Sequence, residues 1–93
     1  MYIPKPLNTE EVTLPAELEQ LTEAMSKNVH EQWSAGRIAD GWVYGSERND
    51  ALRTTPCLVP YEQLSEEERE YDRATALATL KFIVASGFDI VKR

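Results

Sequence analysis

Apolar residues recur at every third or fourth position from residue 15 to residue 38, which predicts the first helix of the chain. Pro15 suits the first turn of this helix, and Glu17 and Glu19 suit its positive N-terminal end. A helix of this length exceeds the average, and we expect it to bend or break near Gly36. The apolar stripe consists of Leu14, Leu18, Leu21, Met25, Val29 and Trp33.

The second predicted helix covers residues 66–86. Ser65 is a favourable N-cap residue, and Glu68 three positions later completes a capping box. Gly87 is a natural residue to end the helix in the left-handed conformation, with Phe88 next in a Schellman motif. Both ends of the second helix are therefore defined by local sequence signals.

The second half of this helix is apolar around nearly its full circumference, with Lys81 as its only charge. A helix that is apolar on every side favours burial on every side. A second copy of the chain would cover the extra face most simply, although the N-terminal segment and the central loop are an alternative cover. The candidate interface residues are Leu77, Leu80, Phe82 and Val84.

The rest of the chain predicts irregular structure. Pro4 and Pro6 keep residues 1–14 extended, as an arm on a neighbouring surface or a loose tail. Glycines and prolines interrupt residues 39–63, where short extended pieces are expected at 42–44 and 57–59. We therefore predict one mainly α domain over residues 1–93, with two main antiparallel helices, an extended N-terminal arm and a long central loop.

Charge and cysteine content limit the partners. The net charge is −6, from 10 basic and 16 acidic residues, so neither a nucleic acid nor an anionic membrane is an expected partner. The single cysteine, Cys57, allows no disulfide within the chain. No apolar run is long enough to span a membrane, and residues 1–14 do not resemble a signal peptide. These features predict a soluble protein in the reducing cytoplasm.

Catalytic residues are few. His30 and Cys57 lie in different predicted elements, and nothing local brings them together as a catalytic pair. Cys57 stands between Pro56 and Leu58, which is typical of a small buried side chain. The chain contains no phosphate-binding glycine loop, no calcium-binding loop and no zinc-ligand spacing. We therefore predict no catalytic site, no metal and no cofactor, and we do not expect an enzyme.

The middle of the chain combines aromatic residues with arginines, and it is less acidic than the rest. Aromatic faces stack on planar groups, and arginine grips phosphate or carboxylate with two hydrogen bonds, so this segment could hold an anionic planar ligand or a peptide. In the alternative interpretation both tryptophans are core, the arginines pair with carboxylates, and the histidine orients a loop. The candidate ligand-binding residues are Trp42, Tyr44, Arg48, Arg37, His30 and Tyr61.

The order of several short motifs resembles the RyR domain, the repeat named after the ryanodine receptor calcium channels, which also occurs alone in bacterial proteins. The resemblance covers nearly the whole chain in one register, with Asn8 departing from the aspartate expected at that turn. The matching motifs are Tyr2-x-Pro4-x-Pro6-x-x-Thr9, Leu14-Pro15, Asn28-x-His30-x-x-Trp33-x-x-x-Arg37, Gly41-Trp42-x-Tyr44-Gly45-x-x-Arg48, Leu58-Val59-Pro60-Tyr61 and Tyr71-Asp72-Arg73.

The resemblance implies a cytosolic regulatory or interaction module without channel activity. In the receptors these repeats occur as tandem pairs around a pseudo-two-fold axis, so a homodimer of this single copy would mimic a pair. Some relatives are thought to bind nucleotide-like ligands. Two functions therefore stay open: a homodimeric module that binds a protein partner, and a sensor of a nucleotide-like ligand held by the central aromatic and arginine residues.

Overall fold

Two long helices dominate the computed structural model, which describes residues 1–93. They pack against each other and make the fold mainly α, as predicted. The elements in chain order are helix α1 (Ala16–Glu19), helix α2 (Thr22–Ala39), strand β1 (Val43–Tyr44), strand β2 (Thr54–Thr55), a 3-10 turn (Tyr61–Gln63) and helix α3 (Glu66–Ala85).

The first predicted helix is interrupted near its beginning, at Gln20 and Leu21, and continues through Gly36. Of the bend or break expected near Gly36, the break is absent, because α2 continues to Ala39. The hydroxyl of Thr22 donates to the carbonyl of Glu19 at 2.6 Å, so a side chain bonds the last turn of α1 at the interruption. Hydroxyl groups that compete for backbone partners favour helix ends over interiors.

Helix α3 has the predicted ends. The backbone N–H of Glu68 donates to the hydroxyl of Ser65, which in turn donates to the Glu68 carboxylate at 2.9 Å. At the other end Gly87 has φ +98°, and the N–H of Phe88 reaches the carbonyl of Ile83. This is the Schellman arrangement.

The central loop contains a small parallel pair of strands. β1 pairs with β2 in the register Val43↔Thr54 and Tyr44↔Thr55. Extended structure was expected at 42–44, where β1 lies, but also at 57–59, where the structure has no strand. The second strand, β2, begins three residues before the expected position. An antiparallel bridge between Asn49 and Thr54 closes the intervening turn and places β2 beside β1.

Gly45 permits this close pairing, and Gly36 provides a contrast. A Cβ at Gly45 would lie 2.7 Å from the Cβ of Thr54, whereas a Cβ at Gly36 would meet nothing within 4 Å. We expect Gly45→Ala to destabilise the protein by about 1–3 kcal/mol through overpacking. Gly36→Ala, in the last turn of α2, is expected to stabilise it by about 0.5–1 kcal/mol. Urea denaturation of both variants measures the two changes, and equal effects would contradict the assignment of Gly45 to a close contact.

The hydrophobic core of the single chain is small. Only Leu14, Tyr61 and Leu64 are buried apolar side chains, and no residue of α3 is fully buried. The radius of gyration is 16.0 Å, against about 12 Å for a compact chain of this length. The chain is therefore more extended than a self-contained domain of its size.

No helix has the combination of length and apolarity that a membrane crossing requires.

Candidate functional site

The end of helix α2 brings Trp42 onto Arg37. Gly41 follows the helix with φ +87°, a conformation that favours glycine. The N–H of Trp42 then bonds the carbonyl of Arg37 at 3.0 Å, and the N–H of Gly41 bonds the carbonyl of Ile38. These two bonds form a Schellman motif, which sets the residue after the glycine against the last turn of the helix. The Arg37 guanidinium accordingly lies 5.0 Å from the centre of the Trp42 ring.

From this contact a continuous stack of rings and guanidinium groups extends in both directions. Arg48 lies 5.7 Å from the Trp42 ring, and Arg37 also lies 5.5 Å from the Trp33 ring. The Trp33 ring stacks on the His30 imidazole at 5.7 Å, with the Tyr61 ring 6.2 Å beyond. We call this the central stack; its members in order are Arg48, Trp42, Arg37, Trp33, His30 and Tyr61.

Five of the six candidate ligand-binding residues thus belong to one stack, and Tyr44 does not. Tyr44 lies exposed on β1 and makes no ring contact with the stack. Trp33 completes the stack, although it was not a candidate. Its spacing from His30 and Arg37, three and four residues on one helix, was the signal that would have included it.

The two arginines of the stack have different environments. Arg48 donates to the Asp50 carboxylate at 2.9 Å, and this guanidinium lowers the pKa of Asp50. Arg37 forms no ion pair with any carboxylate. Its donors are therefore available to an added anion, while those of Arg48 are partly used.

The inner end of the stack is core. His30 is 5% exposed and Tyr61 is 3% exposed. One His30 ring nitrogen, Nε2, lies 2.7 Å from the carbonyl oxygen of Val59, which orients the segment before the 3-10 turn. This agrees with the alternative interpretation of the histidine as a residue that orients a loop. A ligand at the stack would therefore contact its outer half, which consists of Arg48, Trp42 and Arg37.

Cys57 and His30 line one cavity, but no hydrogen bond joins the thiol and the imidazole. The Cys57 thiol donates to the Glu68 carboxylate at 2.8 Å rather than to the imidazole. Burial and the Glu68 carboxylate both raise the pKa of the thiol above its ordinary value. Cysteine nucleophiles require the opposite shift.

The candidate interface residues lie along the second half of α3. Leu77, Leu80 and Val84 are half-buried, whereas Phe82 is exposed. Phe82 lines a shallow cavity together with Pro6 and Leu7 of the N-terminal arm. The arm thus lies beside α3 but leaves the aromatic ring uncovered.

Arg73 connects the two long helices, a role that the sequence did not predict. It donates to Glu23 of α2 at 3.0 Å, and to Glu66 and Glu70 of its own helix. The match of Tyr71-Asp72-Arg73 to a motif was the available signal, but the motif did not indicate a partner on α2. Glu23 also lies next to the Tyr61 hydroxyl, and the tyrosine and Arg73 both lower the pKa of its carboxyl.

This shift predicts a pH dependence. The ordinary pKa of a glutamate is 4.5, and that of folded Glu23 is lower. The unfolded chain therefore takes up the proton first as the pH falls. The stabilisation contributed by ionised Glu23 is fully present above pH 4.5 and is lost as the pH falls through the pKa of Glu23 in the folded chain. We expect Arg73→Met to reduce this acid-induced loss, measured as the melting temperature between pH 3 and pH 7. Arg93→Met removes a cation without an ion pair and should leave the profile unchanged; parallel profiles for all three proteins would contradict the assignment.

The architecture defines a mainly α-helical module whose polar contacts join α2, the central loop and α3. A family model described as RyR domain matches residues 2–92. The chain therefore belongs to the RyR domain family, which confirms the resemblance seen in the motifs.

Proposed function

We propose that this RyR domain is a non-enzymatic binding and regulatory module that acts as a homodimer, with two copies taking the place of a tandem repeat pair. The observation that carries the proposal is the large accessible surface area of the single chain. The accessible surface of the chain is 7406 Å², roughly 1,900 Å² more than the value of about 5,500 Å² expected for a compact monomer of this mass. Permanent dimers bury about 1,000 Å² or more on each subunit.

The second half of α3 is the part of this surface that best fits a second copy. Phe82 is 54% exposed and Ile83 is exposed as well, on a helix that buries none of its residues fully. Tyr2, Ile3 and Leu7 of the neighbouring arm add further exposed apolar area. Apolar area of this extent drives association at about 25 cal/mol per Å² before the cost of ordering is subtracted.

The solution mass tests the proposal. Light scattering across a concentration series should give twice the chain mass of 10.6 kDa. A monomer at every concentration would overturn the homodimer. Cytoplasmic location and a protein partner are parts of the same proposal, supported by the single cysteine and by the regulatory role implied by the resemblance to receptor repeats.

A second candidate function is the sensing of a nucleotide-like ligand at the outer half of the central stack. Arg37 favours it, because an arginine held between two tryptophan rings without a carboxylate partner can bind a phosphate. The ring of Tyr44 is exposed on the adjacent strand and could take a base. Arg48 would share the phosphate after release from Asp50.

Thermal shift with a panel of nucleoside mono-, di- and triphosphates tests the sensor. A ligand at 100 times its Kd adds about 2.7 kcal/mol, which raises the melting temperature of a domain of this size by about 10 °C or more. Arg37→Gln should abolish the shift, whereas Lys5→Gln, a cation on the arm, should retain it. The sensor is excluded if no nucleotide raises the melting temperature, or if the shift survives in Arg37→Gln and in Trp42→Ala.

A further inference from the structure

The first seven residues of the N-terminal arm form no polar contacts with the rest of their own chain. They make no hydrogen bond through the backbone or a side chain, and Lys5 has no ion pair. Tyr2 is 83% exposed and Ile3 is 68% exposed. Large apolar side chains that are exposed together mark a contact site. The end of the arm is therefore an apolar segment without a covering surface.

The base of the arm gives this segment a defined direction. The N–H of Val12 donates to the carbonyl of Thr9 at 3.0 Å, which forms a turn shortly before the buried Leu14. Beyond the turn, Pro4 and Pro6 restrict the backbone to an extended conformation. A stiff segment loses less conformational entropy on binding than a flexible tail, so this arm is suited to docking.

The arm meets α3 at the exposed ring of Phe82. Pro6 and Leu7 line one side of a shallow cavity of about 310 Å³, and Phe82 lines the other. Tyr2 and Ile3 lie beyond this point and are exposed, so they do not pack on the α3 of their own chain. In the proposed dimer Phe82 lies between the two α3 helices, and the arm therefore leaves its own chain where the second copy begins.

The arm is long enough to reach across the second copy. Residues 1–6 in an extended conformation span about 20 Å. The axes of two packed helices lie about 8–10 Å apart. An arm that starts beside Phe82 therefore reaches over the α3 helix of a partner that packs against this ring.

The distribution of charge favours the same pairing. Each copy has a net charge of −6, so two copies repel each other wherever their carboxylates meet. Residues 1–7 and 74–87 contain no aspartate or glutamate, and their only charged side chains are Lys5 and Lys81. The arm and the second half of α3 are therefore surfaces that two acidic copies can bring together without opposing carboxylates.

We propose that the arm of each copy crosses the interface and packs Tyr2 and Ile3 on the second half of α3 of the partner copy. The inference rests on the proposed homodimer and names the segment that closes its interface. Because the two copies are equivalent, both arms make the same contact. Exchange of a segment between identical chains costs little, and the turn at the base of this segment is already formed in the single chain.

Mixed dimers of isotope-labelled and unlabelled chains test the crossing directly. The two proteins are refolded together from denaturant, and an isotope-filtered NOE experiment records only the contacts between chains. We expect contacts from the Tyr2 ring of one chain to methyl groups in the second half of α3 of the other. The loss of these signals in Tyr2→Ser distinguishes them from those of the other three tyrosines. Interchain contacts between the two α3 helices, without any from Tyr2 or Ile3, would overturn the crossing and leave the homodimer standing.

The affinity of the dimer provides a second test. Tyr2→Ser combined with Ile3→Ser should raise the dissociation constant tenfold or more, because each arm loses its two apolar anchors. Circular dichroism should show unchanged helix content, since both side chains are exposed in the single chain. The matched control is Leu52→Ser combined with Val91→Ser, which removes two comparably exposed apolar side chains from the central loop and the C-terminal segment. We expect it to change the dissociation constant less than twofold.

Light scattering over a dilution series measures these constants. An unchanged dissociation constant in the Tyr2 and Ile3 variant overturns the inference but not the homodimer, and so does an equal weakening in the control. A wild-type protein that is monomeric at every concentration overturns both.

Discussion

Replacement of Phe82 by aspartate is expected to halve the solution mass of the protein while leaving the chain folded. The ring is exposed in the single chain, so the new charge meets water in a monomer. In a dimer through α3 the same charge would be buried without a partner, which costs several kcal/mol. Light scattering combined with far-ultraviolet circular dichroism measures the mass and the helix content of one sample.

Leu52→Asp is the matched control for this prediction, because Leu52 is exposed in the turn before β2 and lies outside the proposed interface. We expect it to remain dimeric. Leu80→Asp is expected to unfold or dissociate the protein, since Leu80 is already half-buried within the chain. A dimer that survives Phe82→Asp and dissociates with Leu52→Asp would place the interface at the central loop instead of α3.

Tyr61→Ala is expected to cost about 3–5 kcal/mol of stability, the usual effect of removing a buried aromatic ring. The free energy of unfolding of a domain is about 5–15 kcal/mol, so a loss of this size removes a large part of it. The effect is large here because Tyr61 is one of only three buried apolar side chains, and because its ring adjoins His30 at the end of the central stack.

Tyr61→Phe separates the ring from the hydroxyl. Burial raises the pKa of the Tyr61 hydroxyl, and the nearby Glu23 carboxylate raises it further. The two groups do not reach hydrogen-bond geometry. Removing a polar group that has no partner costs little. We expect a change within about 1 kcal/mol by urea denaturation, and a loss as large as that of Tyr61→Ala would show that the hydroxyl is the stabilising group.

Local signals in the sequence predicted the helix ends that depend on neighbouring residues. Ser65, Glu68 and Gly87 act within one turn of the backbone, so their pattern was sufficient. The same reasoning applied to Gly41 would have placed Trp42 against Arg37. At Gly41 the pattern predicted only an interruption and not a Schellman motif.

Other features carry no signal that could be read from the pattern. The interruption at Gln20 and Leu21 has no glycine or proline to mark it. The sequence does not indicate that carboxylates of α3 border a cavity, which forms only where the helix lies beside His30 and Trp33. The position of β2 likewise depended on the turn that closes at Asn49 and Thr54.

The short connection between β1 and β2 has a consequence for the order of folding. Parallel strands usually need a crossover of a dozen or more residues, yet here only residues 45–53 separate the two strands. Loops of this length close within about 10–100 ns, and the contacts among Arg37, Trp42 and Arg48 span few residues of chain. The outer half of the central stack is therefore a low-contact-order unit, which can assemble before α3 docks and persist in a chain whose long helices have separated.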